Sequence, residues 1–220
     1  QSINIQARAY DRGKLFSDIQ EYENKITRKS ATPIIKYLED NTATPNRKYI
    51  LVEQPNTNAT YTGARYTTDN TAPSETNGSE TTSEGNYPRV VTTNPTNGTT
   101  YKVIAKEQDE STYNCSYSDP VSFTYNSANI PVISCVDNTV TISNPNDLYT
   151  IHYAVDPEYG FADKDSPTYP PSFTISKTSK VCIYAVPNGT TDYVIEVKQN
   201  CEYTAPASKP AQPSISINHG

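Results

Sequence analysis

Residues 64–69 read Ala64-Arg65-Tyr66-Thr67-Thr68-Asp69, and residues 151–156 read Ile151-His152-Tyr153-Ala154-Val155-Asp156. Both stretches carry a Tyr at the same step and close on an Asp, and both fit the two-residue period of a half-buried β-strand. A second strand repeats as well. Val103-Ile104-Ala105 returns as Ile183-Tyr184-Ala185 and is prefigured by Ala7-Arg8-Ala9. Each copy is followed by a polar turn and an acidic step, at Ser17-Asp18, Ser118-Asp119 and Asp192. A Pro leading into a β-branched residue recurs at Pro33-Ile34-Ile35, Pro131-Val132-Ile133 and Pro213-Ser214-Ile215. The three Pro positions lie 98 and 82 residues apart, and Ala9, Ala105 and Ala185 lie 96 and 80 apart. Two separate anchors that give nearly the same pair of intervals are the signature of an internal repeat.

The parsing that follows has four pieces. Residues 1–27 are the C-terminal strands of a preceding repeat, and 32–128 and 129–206 are two complete repeats. Residues 211–220 are the first strand of a further one. The chain is thus expected to be a window on a longer array, whose terminal strands (Ile3, Ile5 and Ala7 at one end, Ile215 and Ile217 at the other) take partners from outside it or by strand exchange. The linkers Asn126-Ser127-Ala128 and 205–210 are short, and Pro in the second restricts its hinge. Other alternating runs, among them Ile3–Ala9, Val140–Ile142, Val181–Ala185 and Val194–Val197, are separated by turn residues such as Asp137-Asn138 and Pro187-Asn188-Gly189. Many short strands between turn signals indicate an all-β sandwich or barrel. The nearest thing to a helical pattern is Leu15–Ile26.

Composition narrows the function classes. Of the 220 residues 34% are hydrophobic, the mean hydropathy is −0.70, and no run approaches the roughly 18 apolar residues of a spanning helix. Eighteen basic against 24 acidic residues leave a net charge of −6, which argues against nucleic acid as a partner. The N-terminus has no apolar signal core and the chain no Met, so Gln1 is read as a processed end or an interior residue.

The Pro-led strand, the Tyr-Thr-Thr-Asp turn, the Ala-bearing strand and the Ser-Asp step together resemble the bacterial immunoglobulin-like repeats related to the C-terminal domain of chitobiase and β-hexosaminidase. The best local match is 64–73, then Val132-Ile133-Ser134 through Val140-Thr141-Ile142. The family's usual Asp-Gly turn is Asp69-Asn70 here and Asp156-Pro157 in the second copy. The resemblance implies tandem Ig-like antiparallel β-sandwich repeats in an elongated array. Such repeats are non-catalytic and occur in secreted glycosidases, surface adhesins and phage structural proteins.

Residues that could carry chemistry are few. His152 and His219 are the only general-base histidines, and His152 is expected on an exposed polar strand face. No P-loop, Gly-x-Ser-x-Gly or HExxH spacing occurs, and no carboxylate pair stands out for glycoside hydrolysis. Asp156, Glu158, Asp163 and Asp165 form the densest acidic stretch; calcium would accept such oxygens, but the spacing matches no EF-hand and a solvated loop is the simpler reading. Asp69 and Asp156 share a strand-end position, where Asp accepts hydrogen bonds from turn amides. Cys115, Cys135, Cys182 and Cys201 form no CxxC, do not recur with the repeat, and are read as mostly unbridged, although three lie in the second repeat and permit one bridge. Eighteen Tyr would suit sugar stacking, but Tyr also suits strands and interfaces; Tyr66 and Tyr153 share a repeat position and read as core or near-core residues. No catalytic residue, cofactor or metal is expected. The excess length of the first repeat falls at 74–86, a polar loop in which Ser74, Glu75, Asn77, Glu80, Glu84 and Asn86 are the candidate binding residues. The expected role is a non-catalytic segment of an extracellular, bacterial-surface or virion-surface multi-repeat fibre or adhesin. It would meet neighbouring repeats of the same chain or other copies, and a cell-surface glycan or receptor, without nucleic acid or membrane insertion. The alternative is an accessory spacer or carbohydrate-binding module of a large secreted glycoside hydrolase.

Overall fold

A computed structural model describes residues 3–7, 20–24, 26–55, 60–85, 87–108 and 113–205. The described strands, in order, are β1 (Ile3–Ala7), β2 (Gln20–Asn24), β3 (Ile26–Lys29), β4 (Ile34–Asp40), β5 (Arg47–Glu53), β6 (Tyr61–Thr67), β7 (Ser79–Glu80), β8 (Thr82–Glu84) and β9 (Tyr87–Thr92). They continue as β10 (Thr100–Glu107), β11 (Tyr113–Ser116), β12 (Val121–Thr124), β13 (Ile133–Val136), β14 (Thr139–Ile142), β15 (Tyr149–Val155), β16 (Phe173–Thr174), β17 (Ser179–Pro187) and β18 (Tyr193–Cys201). Among the described residues there is no α-helix, only two 3-10 turns at Ser127–Asn129 and Pro145–Asp147. The chain is all-β. Of the Leu15–Ile26 stretch that hinted at helix, 20–24 form β2 and Ile26 opens β3, while 15–19 and 25 lie outside the described residues. Residues 211–220 lie outside them too.

The strands make two larger sheets and three smaller ones. A four-stranded sheet has the order β12-β10-β6-β7, and a seven-stranded sheet the order β15-β17-β18-β4-β5-β9-β8. A three-stranded sheet is ordered β13-β14-β16, and β1-β2 and β3-β11 are pairs. The repeated sequence anchors occupy matching registers. Val103 of β10 lies between Tyr66 of β6 and Val121 of β12; Ile183 of β17 lies between Tyr153 of β15 and Val197 of β18. Val103, Ile183, Ala105 and Ala185 are all fully buried.

Segments 32–128 and 129–206 meet through more than the linker. β18 of the second pairs in parallel with β4 of the first, from Tyr193 opposite Ile35 to Lys198 opposite Asp40. This pairing makes the seven-stranded sheet continuous across both segments. Aromatic rings carry the core across the same junction. Phe123 of the first segment lies 4.8 Å from Tyr193 of the second between ring centroids, and on the first segment's side Tyr37 stacks on Tyr125 at 5.3 Å. One buried apolar cluster therefore includes Ile35 and Val103 together with Val140 and Ile195. Burying side chains of this size contributes about 1.5–3 kcal/mol each. The linker itself is a capped 3-10 turn: the Asn126 carboxamide accepts from the Ala128 amide, and Asn97 accepts from the Ser127 amide.

β4 and β5 are covered on both faces, with Leu38, Tyr49, Leu51 and Val90 forming a second, small cluster behind the main core. On the β4–β18 junction Lys36 Nζ lies 2.8 Å from Glu196, which is only 3% exposed, and 2.8 Å from Glu53; Lys198 reaches Glu196 at 2.9 Å. Burial by itself would lower the Lys36 pKa, but the two carboxylates outweigh it and hold the amine above the ordinary lysine range.

At the N-terminal end two pairings are described. β1 finds its partner inside the described residues, pairing with β2 so that Ile5 faces Tyr22. β3 begins at Ile26 and runs parallel to β11, so Ile26 and Thr27 pair with Tyr113 and Asn114 of the segment that follows. The buried Glu107 fixes this corner by accepting from the Ala31 amide and pairing with Arg28 at 2.6 Å.

Candidate functional site

Residues 74–85 of the polar stretch fold into a crossover. Upstream of it, the Asp69 carboxylate accepts from the Thr71 amide (3.1 Å) and hydroxyl (2.7 Å), and the next residue, Asn70, is left-handed. The bond from the Thr71 hydroxyl is the main reason the Asp69 carboxyl sits below its usual range. Ser74 Oγ accepts the amides of Thr76 and Asn77, and Asn77 Nδ2 donates to the Ala72 carbonyl at 2.8 Å. Gly78 then adopts φ 104, where a Cβ would come 2.7 Å from the Tyr66 carbonyl oxygen. β7 pairs with β6, the Thr81 amide donates to the Ala64 carbonyl, and β8 joins β9 in the other sheet.

This arrangement separates the candidate residues that the structure describes. Ser74 and Asn77 are occupied in building the turn. The Glu75 carbonyl accepts from Arg65 Nη1, and the Glu80 carboxylate lies 3.5 Å from Arg65 Nη2. Glu84 lines a groove of about 770 Å³ with Arg47, Lys48, Tyr49 and Tyr87, while Glu80 lines a separate cleft of about 490 Å³. Asn86 lies outside the described residues. The five described candidates therefore do not converge on one point.

The counterpart loop after β15 carries the acidic stretch. Asp156 Oδ1 accepts the Lys180 amide at 2.7 Å and Oδ2 pairs with Lys177 at 2.9 Å; Lys177 is the chief reason its carboxyl sits low. Asp163 Oδ1 accepts from the Asp165 amide and the Ser166 hydroxyl, both at 3.0 Å. These carboxylates are engaged in turn bonds, and the described residues hold no group of three or more acids, His or Cys able to bind a metal. The sequence reading missed Tyr159 and Phe161. They are 77% and 45% exposed, with ring centroids 6.4 Å apart. Their backbone is fixed: the Gly160 amide donates to Pro157, its carbonyl lies 3.6 Å from the Cys182 thiol, and Ala162 is buried beside them. Two aromatics flanking a Gly in an otherwise polar loop were the available signal.

His152 is half-buried, not exposed. Its Nδ1 lies 2.7 Å from the Ser166 carbonyl, because the strand faces its own returning loop, with Thr168 bridged opposite. The thiol expectation also needs correction. Cys135 of β13 and Cys201 of β18 are bridged, tying the three-stranded sheet to the seven-stranded one. The strands bring together two residues 66 apart in sequence that share no motif spacing. Cys182 is a buried thiol pushed up to about 11 by desolvation, hence neutral and unreactive near pH 7. Cys115 is buried with its sulfur 3.4 Å from the Gln108 carbonyl. Tyr66 and Tyr153 are partly buried against the main core. No protein-family model matches the chain, and no curated protein is significantly similar to it.

Proposed function

We propose that the chain is a non-catalytic structural and interaction segment of a large extracellular, bacterial-surface or virion-surface fibre or adhesin. In this reading it is built of tandem Ig-like sandwich repeats in an elongated array and serves as stalk and attachment surface. Its partners are neighbouring repeats or other copies, and a cell-surface glycan or receptor. The observation that carries the reading is the repeated register: Val103 between Tyr66 and Val121, and Ile183 between Tyr153 and Val197. A chain that repeats a strand register while varying its loops is suited to presenting surfaces, as repeat proteins are. The Cys135–Cys201 bridge suits an oxidising compartment.

The test is made on native material quenched with acid and alkylated before mass spectrometry. The Cys135–Cys201 peptide pair is expected to be oxidised, and an antibody to 74–86 to decorate intact cells or particles. A fully reduced pair together with no surface labelling overturns the reading.

A second reading, an accessory carbohydrate-binding module of a secreted glycoside hydrolase, draws on the exposed Tyr159–Phe161 pair. Aromatic faces held at fixed spacing stack on sugar rings at little entropic cost. A catalytic domain on the same polypeptide favours this reading; further repeats favour the first.

A further inference from the structure

We propose that the 490 Å³ cleft between β6, β10 and the 79–83 crossover binds a carboxylate-bearing saccharide. The cleft is lined by Arg65 of β6, Arg89 of β9 and Lys106 of β10, with Glu80 as the one carboxylate. A chain with 24 acidic and 18 basic residues here gathers three cations around one anion.

None of the three cations is well neutralised. Glu80 is 77% exposed and 3.5 Å from Arg65, which makes a solvent-screened pair of little strength. Arg65 Nε is buried without a hydrogen-bond acceptor, the sole buried side-chain nitrogen or oxygen so placed among the described residues. That Nε is closed to solvent, so the donor an oxyanion in the cleft would take is the Arg65 Nη2, whose pairing with Glu80 is weak. Arg89 is held by neutral groups: it lies over the Tyr61 ring at 5.7 Å and donates to the Val52 and Tyr61 carbonyls at 3.3 and 3.5 Å. Its geometry is fixed while its charge stays uncompensated. Lys106 makes no ion pair among the described residues.

The rest of the wall suits a sugar. Gly63 lies in the cleft, and a Cβ there would meet nothing within 4 Å, so the floor is open. The Thr81 hydroxyl and the Tyr117 phenol can donate and accept, and the Thr62 hydroxyl, which donates to the Lys106 carbonyl, can still accept, as ring hydroxyls need. Burial pushes the Tyr61 phenol up to about 12, so it is neutral at pH 7 and does not repel an anion. The volume falls in the range of small-molecule sites and accommodates one or two rings. This assignment goes beyond the stalk role and holds whether the chain sits in a fibre or beside a catalytic domain.

Calorimetric titration of the whole chain with glucuronate, with an oligosaccharide ending in glucuronate, and with glucose, sulfate and tetraglutamate tests it. Saturable binding of glucuronate, free or at a glycan end, is expected, at least tenfold tighter than glucose or sulfate. Lys106→Gln is expected to weaken it at least tenfold while the thermal unfolding midpoint stays unchanged, and Arg65→Gln to weaken it similarly. Failure to bind either glucuronate ligand overturns the assignment. So does an unchanged Kd in the folded Lys106→Gln variant, or glucose, sulfate or tetraglutamate binding as tightly as glucuronate.

Discussion

The loops that leave β6 and β15 start alike and end as different displays. Both strands close on an Asp whose carboxylate accepts a backbone amide, from Thr71 in one and Lys180 in the other. Both loops then return to their own strand, Ser79 opposite Tyr66 and Thr168 opposite His152, before the chain passes to the facing sheet. In the first, the tip bonds to itself through Ser74 and Asn77 and shows only polar groups. In the second, the tip is anchored on β17 through Gly160 and Cys182 and shows two aromatic rings. The shared part is what the core dictates, since Tyr66 and Tyr153 pack against it. The tips are released from that constraint and differ in chemistry.

The comparison presumes that the two segments share one core, and Phe123→Ala attacks that core directly. Phe123 sits between Tyr37 of one segment and Tyr193 of the other. Its truncation is expected to cost about 4 kcal/mol. Urea unfolding followed by tyrosine fluorescence and by far-ultraviolet dichroism should shift as one coincident transition. Two separated transitions would show the segments to be energetically independent despite the β4–β18 pairing.

Reduction of Cys135–Cys201 comes next in size. The bridge closes a 66-residue separation, for which about 3 kcal/mol of stabilisation is ordinary. Hydrogen exchange under reducing conditions should accelerate first at β13, β14 and β16. Acceleration that begins instead in β6 and β10 would contradict the placing of the tie.

A glycine pair separates the two tips. Gly78→Ala combines φ 104 with a 2.7 Å approach to a backbone oxygen and is expected to lose about 2 kcal/mol. Gly160→Ala has φ 73 and open space, and is expected to lose about 1 kcal/mol. Thermal melts that rank the two in the opposite order would mean that the 74–86 turn yields more readily than its hydrogen bonds imply.

Much of this fold was legible in the sequence because apolar alternation and the recurring Tyr, Ala and Asp positions report directly on sheet registers. Val103 and Ile183 are buried at matching positions for that reason. The β4–β18 junction was not legible. Parallel pairing between Ile35 and Tyr193 depends on residues 158 apart, and no local pattern encodes it. Nor does spacing reveal a bridge between Cys135 and Cys201, which only sheet-on-sheet packing brings together. The residues that line the cationic cleft were the least legible. Polarity and excess length drew attention to 74–86, whereas the cationic cleft assembles Arg65, Arg89 and Lys106 from three strands, each unremarkable in its own stretch.

The smallest expected effect divides the two aspartates by what holds their carboxyls down. Both folded pKa values lie below the unfolded one, so each carboxylate favours the fold at neutral pH, and that contribution fades as pH falls through the folded value. For Asp69 the leading cause is the neutral Thr71 hydroxyl, and for Asp156 it is the Lys177 ammonium. Salt screens an exposed ion pair far more than a hydrogen bond from a neutral donor. Raising sodium chloride from 0.05 to 1 M, round values that take the screening length from about 14 to about 3 Å, should therefore move the Asp156 midpoint upward and leave Asp69 nearly in place. Lys177→Ala should raise Asp156 alone, and Thr71→Val should raise Asp69 alone, both read from carboxyl-carbon NMR shifts. If Asp156 ignores both salt and the loss of Lys177, the neutral Lys180 amide and Ser179 hydroxyl hold it, and the two strand ends are alike in their chemistry as well as in their position.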